Sequence, residues 1–584
     1  MDSAGRSFGP TLSASGTTFR LWAPAAKSVE VIIDGNGFEM TRASNGWFTT
    51  TIAASGAGAR YRFRIDGELD IPDPASQYQP EDIAGPSEVI DHSAFSWRAE
   101  RWRGRPWQDA VFLECHVGTF SPEGTFRGLI DRLDHIVETG ISAIELMPVA
   151  DFPGRRNWGY DGVLWYAPDN TYGSPDDLKR LIDEAHLRGI MVFLDVVYNH
   201  FGPEGNYLAR HAPQFFRDAA TPWGAAIDYS VPEVKAFAIE NAIAWLDDYR
   251  FDGLRLDAVH AIVEPGGLSF LEDLSKRVGT LAEETGRHLH LVLENDDNRS
   301  SLLDPLTVVP SGRYRAQWND DYHHAWHVLL SGETQGYYSD YAIRPGQMIA
   351  RMLRQGFAYQ GEPSGHRGGK TRGESTRNLP PTAFVNFIQN HDQIGNRALG
   401  DRLEWSATAA EIEAALAVTL LAPMPPLLFM GEEWGARTPF PFFCDFQGEL
   451  ADAVRRGRRK EFADAYATFG DDVPDPLSPA TFEAAKLDWS SIDPKRHQLV
   501  KRLLTVRKAE IVPRLSAASF GQAEFRPDGL LTARWTLADR TALMLSANLS
   551  DSIIRLAAPR GHIIWGENSD QAKPWSVRWT AGDD

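Results

Sequence analysis

The sequence predicts an α/β protein, a (β/α)8 TIM barrel flanked by an N-terminal β-sandwich and a small C-terminal β domain. Three observations predict it. From residue 107 to about 508, eight apolar strand-like runs alternate with amphipathic helix-like segments. On either side the rhythm changes to short β-like runs punctuated by Gly, Ser, Asn and Asp. The 584 residues amount to roughly four domain equivalents of ~150 residues, and one barrel with inserted loops absorbs well over half of them. The expected domains are residues 1–95, 96–508 and 509–584.

Taken in order, TFRLWAP (18–24), SVEVII (28–33), GWFTTTI (46–52) and RYRFRI (60–65) have the spacing of strands in an antiparallel sandwich. A Pro-bearing stretch, residues 70–80, leads away from it. The barrel strands are expected at 110–117, 143–149, 191–200, 253–260, 289–296, 315–319, 383–392 and 426–435, with helices between them at 126–139, 176–189, 234–249 and 410–422. Long connections follow the third strand (201–231) and surround the sixth (320–380). Connections of that length in a compact domain are functional or flexible. Within the second, GEPSGHRGGKTRGEST (361–376) reads as a mobile Gly- and charge-rich loop. The basic run ADAVRRGRRKEFADA (451–465) reads as a solvated helix face. Strands resume at 530–537, 542–550, 553–559 and 562–567.

Composition narrows the function. Lys and Arg number 59 against 79 Asp and Glu, a formal charge of −20. Nucleic-acid binders carry basic patches, and anionic membranes attract the same sign, so neither partner is expected. No run reaches the roughly 18 apolar residues of a membrane helix, and the first residues lack a basic segment followed by an apolar one. The two cysteines, Cys115 and Cys444, are too few for a disulfide framework or a thiolate metal cluster. A cytoplasmic protein with no cofactor and no metal is the expectation.

An α/β barrel carries its active site at the carboxyl ends of the strands. Those ends here read DVVYNH, RLDAVH, ENDDN and QNHDQ, and they gather Asp195, Asn199, His200, Arg255, Asp257, His260, Glu294, His391 and Asp392 at one mouth. Several acids on different strands exceed what structure needs. They suit glycoside hydrolysis, in which one carboxylate attacks or stabilises the anomeric carbon and one carboxylic acid protonates the leaving oxygen. Arg255 and Asp257, two apart on a strand, face the same side, so the guanidinium can hold that carboxylate ionised. Partial desolvation of Glu294 would raise its pKa, as a general acid requires.

The segments DVVYNH, GLRLDAVH, LEND and FIQNHD resemble, in order, the four short motifs of the α-amylase superfamily, glycoside hydrolase family 13. That resemblance implies Asp257 as nucleophile, Glu294 as general acid/base and Asp392 as transition-state stabiliser. It places Arg255, His200 and His391 around subsite −1, with Tyr160 of NWGYDG as the stacking tyrosine. The N-terminal FRLWAPAAKSVEV is similar to the sandwich of branching, debranching and trehalose-releasing members. The phrases NWGYDGVLWYAPDNTYGSPDDLKRLIDEAH, TPWGAAIDY and QWNDDYHHAWHVLLSGETQGYYSDY resemble the malto-oligosyltrehalose trehalohydrolases. This implies retaining hydrolysis of the α-1,4 bond joining trehalose to a maltooligosaccharide, with maltooligosyltrehalose as substrate and a maltooligosyltrehalose synthase as functional partner.

Two other readings compete. Branching enzymes share WGYDG but show SHDE where this chain has Asn390-His391-Asp392-Gln393. A non-catalytic glucan-binding protein would not need the complete set Asp257, Glu294 and Asp392. For the trehalose side, the long loops nominate Trp223, Asn319, Asp320 and Asp321, with Gln393 nearby; His260 is expected among the substrate-binding residues of the mouth. Asp296, in Glu294-Asn295-Asp296-Asp297-Asn298, departs from the family's usual continuation after the acid. Asp320-Asp321-Tyr322-His323-His324, with His327 four past His323, admits a metal reading, to which a hydrogen-bonding wall of the sugar cleft is preferred. Asp195 and Asn199 match residues that hold calcium or structural networks in some amylases, and calcium is not preferred. Glu432 and Glu433 read as structural, and Cys115 as a small buried hydrophobe.

Overall fold

The structure is a computed structural model that describes residues 6–582 apart from 222, 265, 266, 268 and 305–312. Its centre is a ring of parallel strands: β1 (Phe112–Cys115), β2 (Ala143–Leu146), β3 (Met191–Val196), β4 (Gly253–Leu256), β5 (His290–Leu293), β6 (Ala316–Trp318), β7 (Phe384–Val385) and β8 (Leu427–Phe429). They follow one another in chain order around the ring, with β8 beside β1. The gap between β7 and β8 closes through Asn386, whose N–H donates to Pro425 O and whose carbonyl accepts from Leu427 N, both at 2.9 Å. Every residue of these strands is buried, the consequence of a parallel sheet covered on both faces. All eight expected strands are present, the sixth among them.

Register sets the site. Leu256 of β4 pairs with Leu293 of β5, so the next residues, Asp257 and Glu294, leave adjacent strands at one height. Asp195 of β3 lies beside Arg255 of β4 in the same way. The helices Pro175–Leu187, Pro232–Asp247 and Ala409–Leu421 stand where the sequence puts them. The segment 126–139 is instead two short helices, Phe126–Ile130 and Leu133–Thr139.

The N-terminal strands form two antiparallel sheets. Val29–Ile33 and Arg60–Ile65 alternate buried and accessible residues, and the inward set, including Phe19, Val31, Phe48 and Phe63, makes a separate core. This unit docks on the barrel through Phe8 against Phe237, ring centroids 5.0 Å apart, and the Arg6–Asp248 ion pair. The C-terminal unit is a five-stranded antiparallel sheet. Two of its strands, Ser519–Phe525 and Ser576–Gly582, were not expected. The first is an edge strand whose mostly accessible residues leave no apolar run to read. Ile554–Arg555 pairs outside this sheet, with Gln571–Ala572.

The long connections are structured. The connection after β3 holds a hairpin, Phe216–Thr221 with Gly224–Ile227. The connection after β6 holds helices Asp320–Ser331 and Pro345–Gln355 and a ribbon, Glu362–Pro363 with Thr371–Arg372. The ribbon replaces the loose loop expected at 361–376. Trp579, fully buried, stacks on Trp535 at 5.6 Å and donates to Ala417 O at 3.0 Å, joining the C-terminal sheet to a barrel helix. Trp579→Ala should cost about 3–5 kcal/mol, measured as a lower denaturant midpoint for C-terminal unfolding.

Candidate active site

Arg255 is wholly buried and lies over the Trp318 ring at 4.3 Å. Its Nη1 donates to Asp195 at 2.7 and 2.9 Å and to Asp257 Oδ1 at 2.9 Å, while Nη2 donates to Glu294 Oε2 at 2.8 Å. One cation therefore serves three carboxylates, and its two ends separate their environments. Burial alone would raise the Asp257 pKa, but Arg255, His200 and the Asn199 amide, which donates at 2.8 Å, hold it below the usual value. Burial pushes the Glu294 carboxyl well above its ordinary value; Arg255 opposes the shift, and Asp257, Asp392 and Asp320 add to it. Glu294 Oε2 also accepts from Ala258 N at 2.7 Å. Ala258 reaches that position with φ 41°, a left-handed backbone rare for a non-glycine residue.

Tyr160 and His391 form the second half of the floor. Their rings stack at 5.1 Å, and the Tyr160 hydroxyl donates to Asp195 Oδ2 at 2.6 Å, 2.8 Å from His391 Nε2. Glu114, at the end of β1, accepts from the backbone N–H of His391 at 3.0 Å and pairs with its ring Nδ1. Burial works against a charged imidazole, but Asp392 and Glu114 outweigh it and push His391 up to about 9. His391 Nε2 lies 3.4 Å from Asp392 Oδ1.

Above this floor opens a cleft of about 540 Å³. Of the residues nominated by the sequence, Tyr160, His200, Trp223, Asp257, His260, Glu294, Asp320, Asp392 and Gln393 line it. Trp223 sits at the turn of the hairpin after β3 and stacks on the His200 ring at 5.4 Å. Arg255 and His391 lie beneath the lining and act on it through their neighbours. Asn319 and Asp321 are elsewhere. The Asn319 amide donates to Gly356 O and Asn386 Oδ1. Asp321 is buried, accepting from Ala358 N, Tyr359 N, Asn298 and Arg372. Both are spent on packing the helix that begins at Asp320.

The metal readings have other outcomes. His323 faces Ile388 O and Tyr338, and His327 pairs with Glu333. Asn199 holds Asp257, and Asp195 holds Arg255. Among the described residues no three or more His, Cys, Asp or Glu side chains group as a metal site. Glu432 and Glu433 are buried away from the cleft, with Glu432 accepting from Phe429 N at 3.0 Å. Cys115 is buried and its thiol is pushed well up by that burial.

Several cleft residues escaped the sequence reading. Arg372 is buried between Asp321, at 2.6 Å, and Asp296, at 3.0 Å. Arg367 pairs with Asp296 and, at 2.7 Å, with Asp297. These arginines come from the segment read as a mobile loop, and the acids are the departure noted after Glu294. Tyr337, Phe442 and Arg458 also line the cleft, and His324 does so as expected of the segment after Asn319. Only the density of opposite charge in 294–298 and 361–376 signals the first group. Arg255→Met should destabilise the fold by about 3–5 kcal/mol, because it strands buried carboxylates without their cation; thermal unfolding of the variant measures it.

Comparison with known proteins agrees with this geometry. Residues 98–224 match the alpha amylase catalytic domain, residues 7–78 carbohydrate-binding module 48 (isoamylase N-terminal domain), and residues 518–579 a domain of unknown function. The malto-oligosyltrehalose trehalohydrolase of Deinococcus radiodurans is 42% identical over 510 residues, 86% of this chain and 83% of that one. That of Rhizobium sp. (strain M-11) is 40% identical over 564 residues, 93% and 92% respectively. A crystal structure from Salmonella typhimurium, described as an alpha amylase, superposes with a TM-score of 0.93 at 42% identity, covering 99% of this chain and 100% of that one.

Proposed function

The chain belongs to the malto-oligosyltrehalose trehalohydrolase family of the α-amylase superfamily, and from that premise we propose how its cleft releases trehalose from maltooligosyltrehalose. The observation that carries the reading is the pair Asp257 and Glu294, bridged by one guanidinium and driven apart in proton affinity. Paired carboxyl groups with separated pKa values divide the roles of nucleophile and acid. Two acids on one fork, at equal height on neighbouring strands, suit the shorter separation of retaining enzymes, about 5–5.5 Å.

In the first step the ionised Asp257 attacks the anomeric carbon of the glucose at subsite −1. The bond to the glycosidic oxygen breaks as Glu294 gives that oxygen its proton, and trehalose leaves. In the second step Glu294, now a carboxylate, takes a proton from water. The hydroxyl adds to the same carbon, Asp257 departs, and the maltooligosaccharide keeps its α configuration. Asp392 flanks the carbon that becomes positive. Tyr160, His200 and His391 shape the ring site, with Arg255 orienting the acids from below. Trp223, His260, Asp320 and Gln393 belong to the trehalose side in this reading; burial among Asp296 and Asp392 pushes Asp320 up to about 7, against Arg372.

The upstream supplier is a maltooligosyltrehalose synthase, as the family implies. Among the described residues no helix is long and apolar enough to cross a membrane. We place the protein in the cytoplasm, a location that suits its two buried free cysteines.

Asp257→Ala and Glu294→Gln should each fold normally and lose several orders of magnitude in kcat, with trehalose release from maltotriosyl-trehalose as the assay. If either keeps more than about a tenth of the activity, a loss of only ~1.4 kcal/mol, its role is wrong. NMR of the nascent reducing end should show the α anomer first.

The pH profile follows from the same pair. As pH falls through the lowered pKa of Asp257 the nucleophile is protonated, and as pH rises through the raised pKa of Glu294 the acid is lost. The kcat/KM curve should therefore be bell-shaped, with its alkaline limb above the ordinary glutamate range.

Asp320→Ala should lower kcat/KM more for maltotriosyl-trehalose than for maltopentaose, since a site that hydrogen-bonds a hydroxyl discriminates through it. Equal losses on the two substrates would assign Asp320 a structural role.

A further inference from the structure

The basic helix Gly448–Glu461 bears one arginine that does not face solvent in the way its sequence suggests. Arg458 lines the cleft, with only 15% of its side chain exposed. Its guanidinium lies over the Phe442 ring at 4.4 Å. It donates to Glu461 at 3.2 Å and to Asn396 at 3.4 Å, which uses two of the five N–H donors that a guanidinium carries. Phe442 in turn packs edge-on to Trp158 at 5.2 Å, and Trp158 packs edge-on to His391 at 5.5 Å. An unbroken wall of rings thus runs from beneath the −1 site outward to Arg458.

The direction of that wall follows from the barrel. A general acid must stand on the leaving-group side of the bond it cleaves. Glu294 follows β5, and its neighbours in the cleft, Asp296 and Asp320, follow β5 and β6. Phe442 and Arg458 follow β8, and Trp158 follows β2. With the strands in chain order around the ring, β8, β1 and β2 lie across the mouth from β5 and β6. The flank bearing Arg458 is therefore the side away from the leaving trehalose. A planar ring beside outward N–H donors suits a pyranose, with its apolar face and rim of hydroxyl acceptors.

We propose that Arg458, seated on Phe442, is a specificity-determining residue that binds the glucan arm of the substrate beyond subsite −1. This rests on the trehalohydrolase reading and deepens it by naming what holds the second glucose. The residue touches no reacting atom. The basic run is thereby divided in function, with Arg458 turned to the sugar and its other basic residues left to the surface.

The test compares kcat/KM for glucosyl-, maltosyl- and maltotriosyl-trehalose in the full-length enzyme. Glucosyl-trehalose fills only −1 on the glucan side and cannot reach Arg458; the other two can. Arg458→Ala should lose about tenfold on maltosyl- and maltotriosyl-trehalose, the scale of a hydrogen bond to a charged donor, and at least fivefold less than that on glucosyl-trehalose. Arg458→Met keeps the contact with Phe442 while removing the donors, and should reproduce the pattern if the alanine variant folds poorly. An equal loss on all three substrates would overturn the proposal, because it would mean that Arg458 acts through Asn396 on Asp392, 3.3 Å away. No loss on any substrate would overturn it as well. Failure of the unmodified enzyme to release trehalose from all three would instead defeat the functional reading itself.

Discussion

The buried guanidinium of Arg255 holds Asp195, Asp257 and Glu294 together at the floor of the cleft, and the rest of the mouth is arranged around that constraint. Burying three carboxylates without a cation would cost several kcal/mol for each ionised group, or force each to take a proton. With Arg255 between them the outcome is unequal. Asp257 also receives Asn199 and lies near His200, and its pKa is lowered. Glu294 receives the other end of the fork, but burial, with Asp257, Asp392 and Asp320 beside it, raises its pKa well above the ordinary value. A single cation thus gives two similar side chains opposite shifts, the division that the proposed roles of nucleophile and acid require. It can do so because strand register sets Asp195 beside Arg255 and, two residues further along, Asp257 beside Glu294.

The flanks solve a different problem. The substrate is neutral and polyhydroxylated, so its recognition needs fixed donors and acceptors more than net charge. On the β5–β6 side this is met by pairing. Asp296 and Asp321 are held by Arg367 and Arg372, which ties the ribbon of the long connection to the barrel and leaves oriented polar groups facing the cleft. On the β8–β2 side it is met by rings, Trp158 and Phe442, with Arg458 at the end. On the β5–β6 flank an acidic protein can bind a sugar in this way because the carboxylates there are paired locally with arginines.

How much of this was legible in the sequence depended on where the determining partner lay. The eight strands could be read because a buried parallel strand is apolar throughout, and Asp257, Glu294 and Asp392 drew attention as acids at or beyond strand ends; Tyr160, well past the second strand, was visible only through the resemblance of NWGYDG. The edge strand Ser519–Phe525 could not, since half-exposed strands carry no apolar run. Arg367, Arg372 and Arg458 sit in Gly-rich or basic stretches whose local pattern is that of solvated chain. What makes them structural is an acid or a ring well outside the local stretch, such as Asp296 for Arg372 and Phe442 for Arg458. Asn319 failed in the opposite sense: it lies next to a cleft residue in sequence, but its amide turns inward to Gly356 and Asn386. Its neighbour Asp320 faces the cleft, so one position along the chain separates a packing residue from a cleft residue.

The same accounting of charge bears on the transition state. Beneath the −1 site lie two cations, Arg255 and His391. Around it stand the carboxylates of Asp257 and Asp392, with Asp195 and Glu114 directly behind the cations. Asp257 and Asp392 line the cleft, whereas Arg255 and His391 lie beneath it. In the proposed mechanism a positive charge developing at the anomeric carbon would meet these two acids first, the preorganised stabilisation that a low-dielectric site supplies. His391 lies between Glu114 and Asp392 and ties the two carboxylates to the floor of the cleft from below. Tyr160 completes it by capping Asp195 with its hydroxyl, so that the carboxylate behind Arg255 is satisfied within the protein and Asp257 is left as the anion open to the sugar.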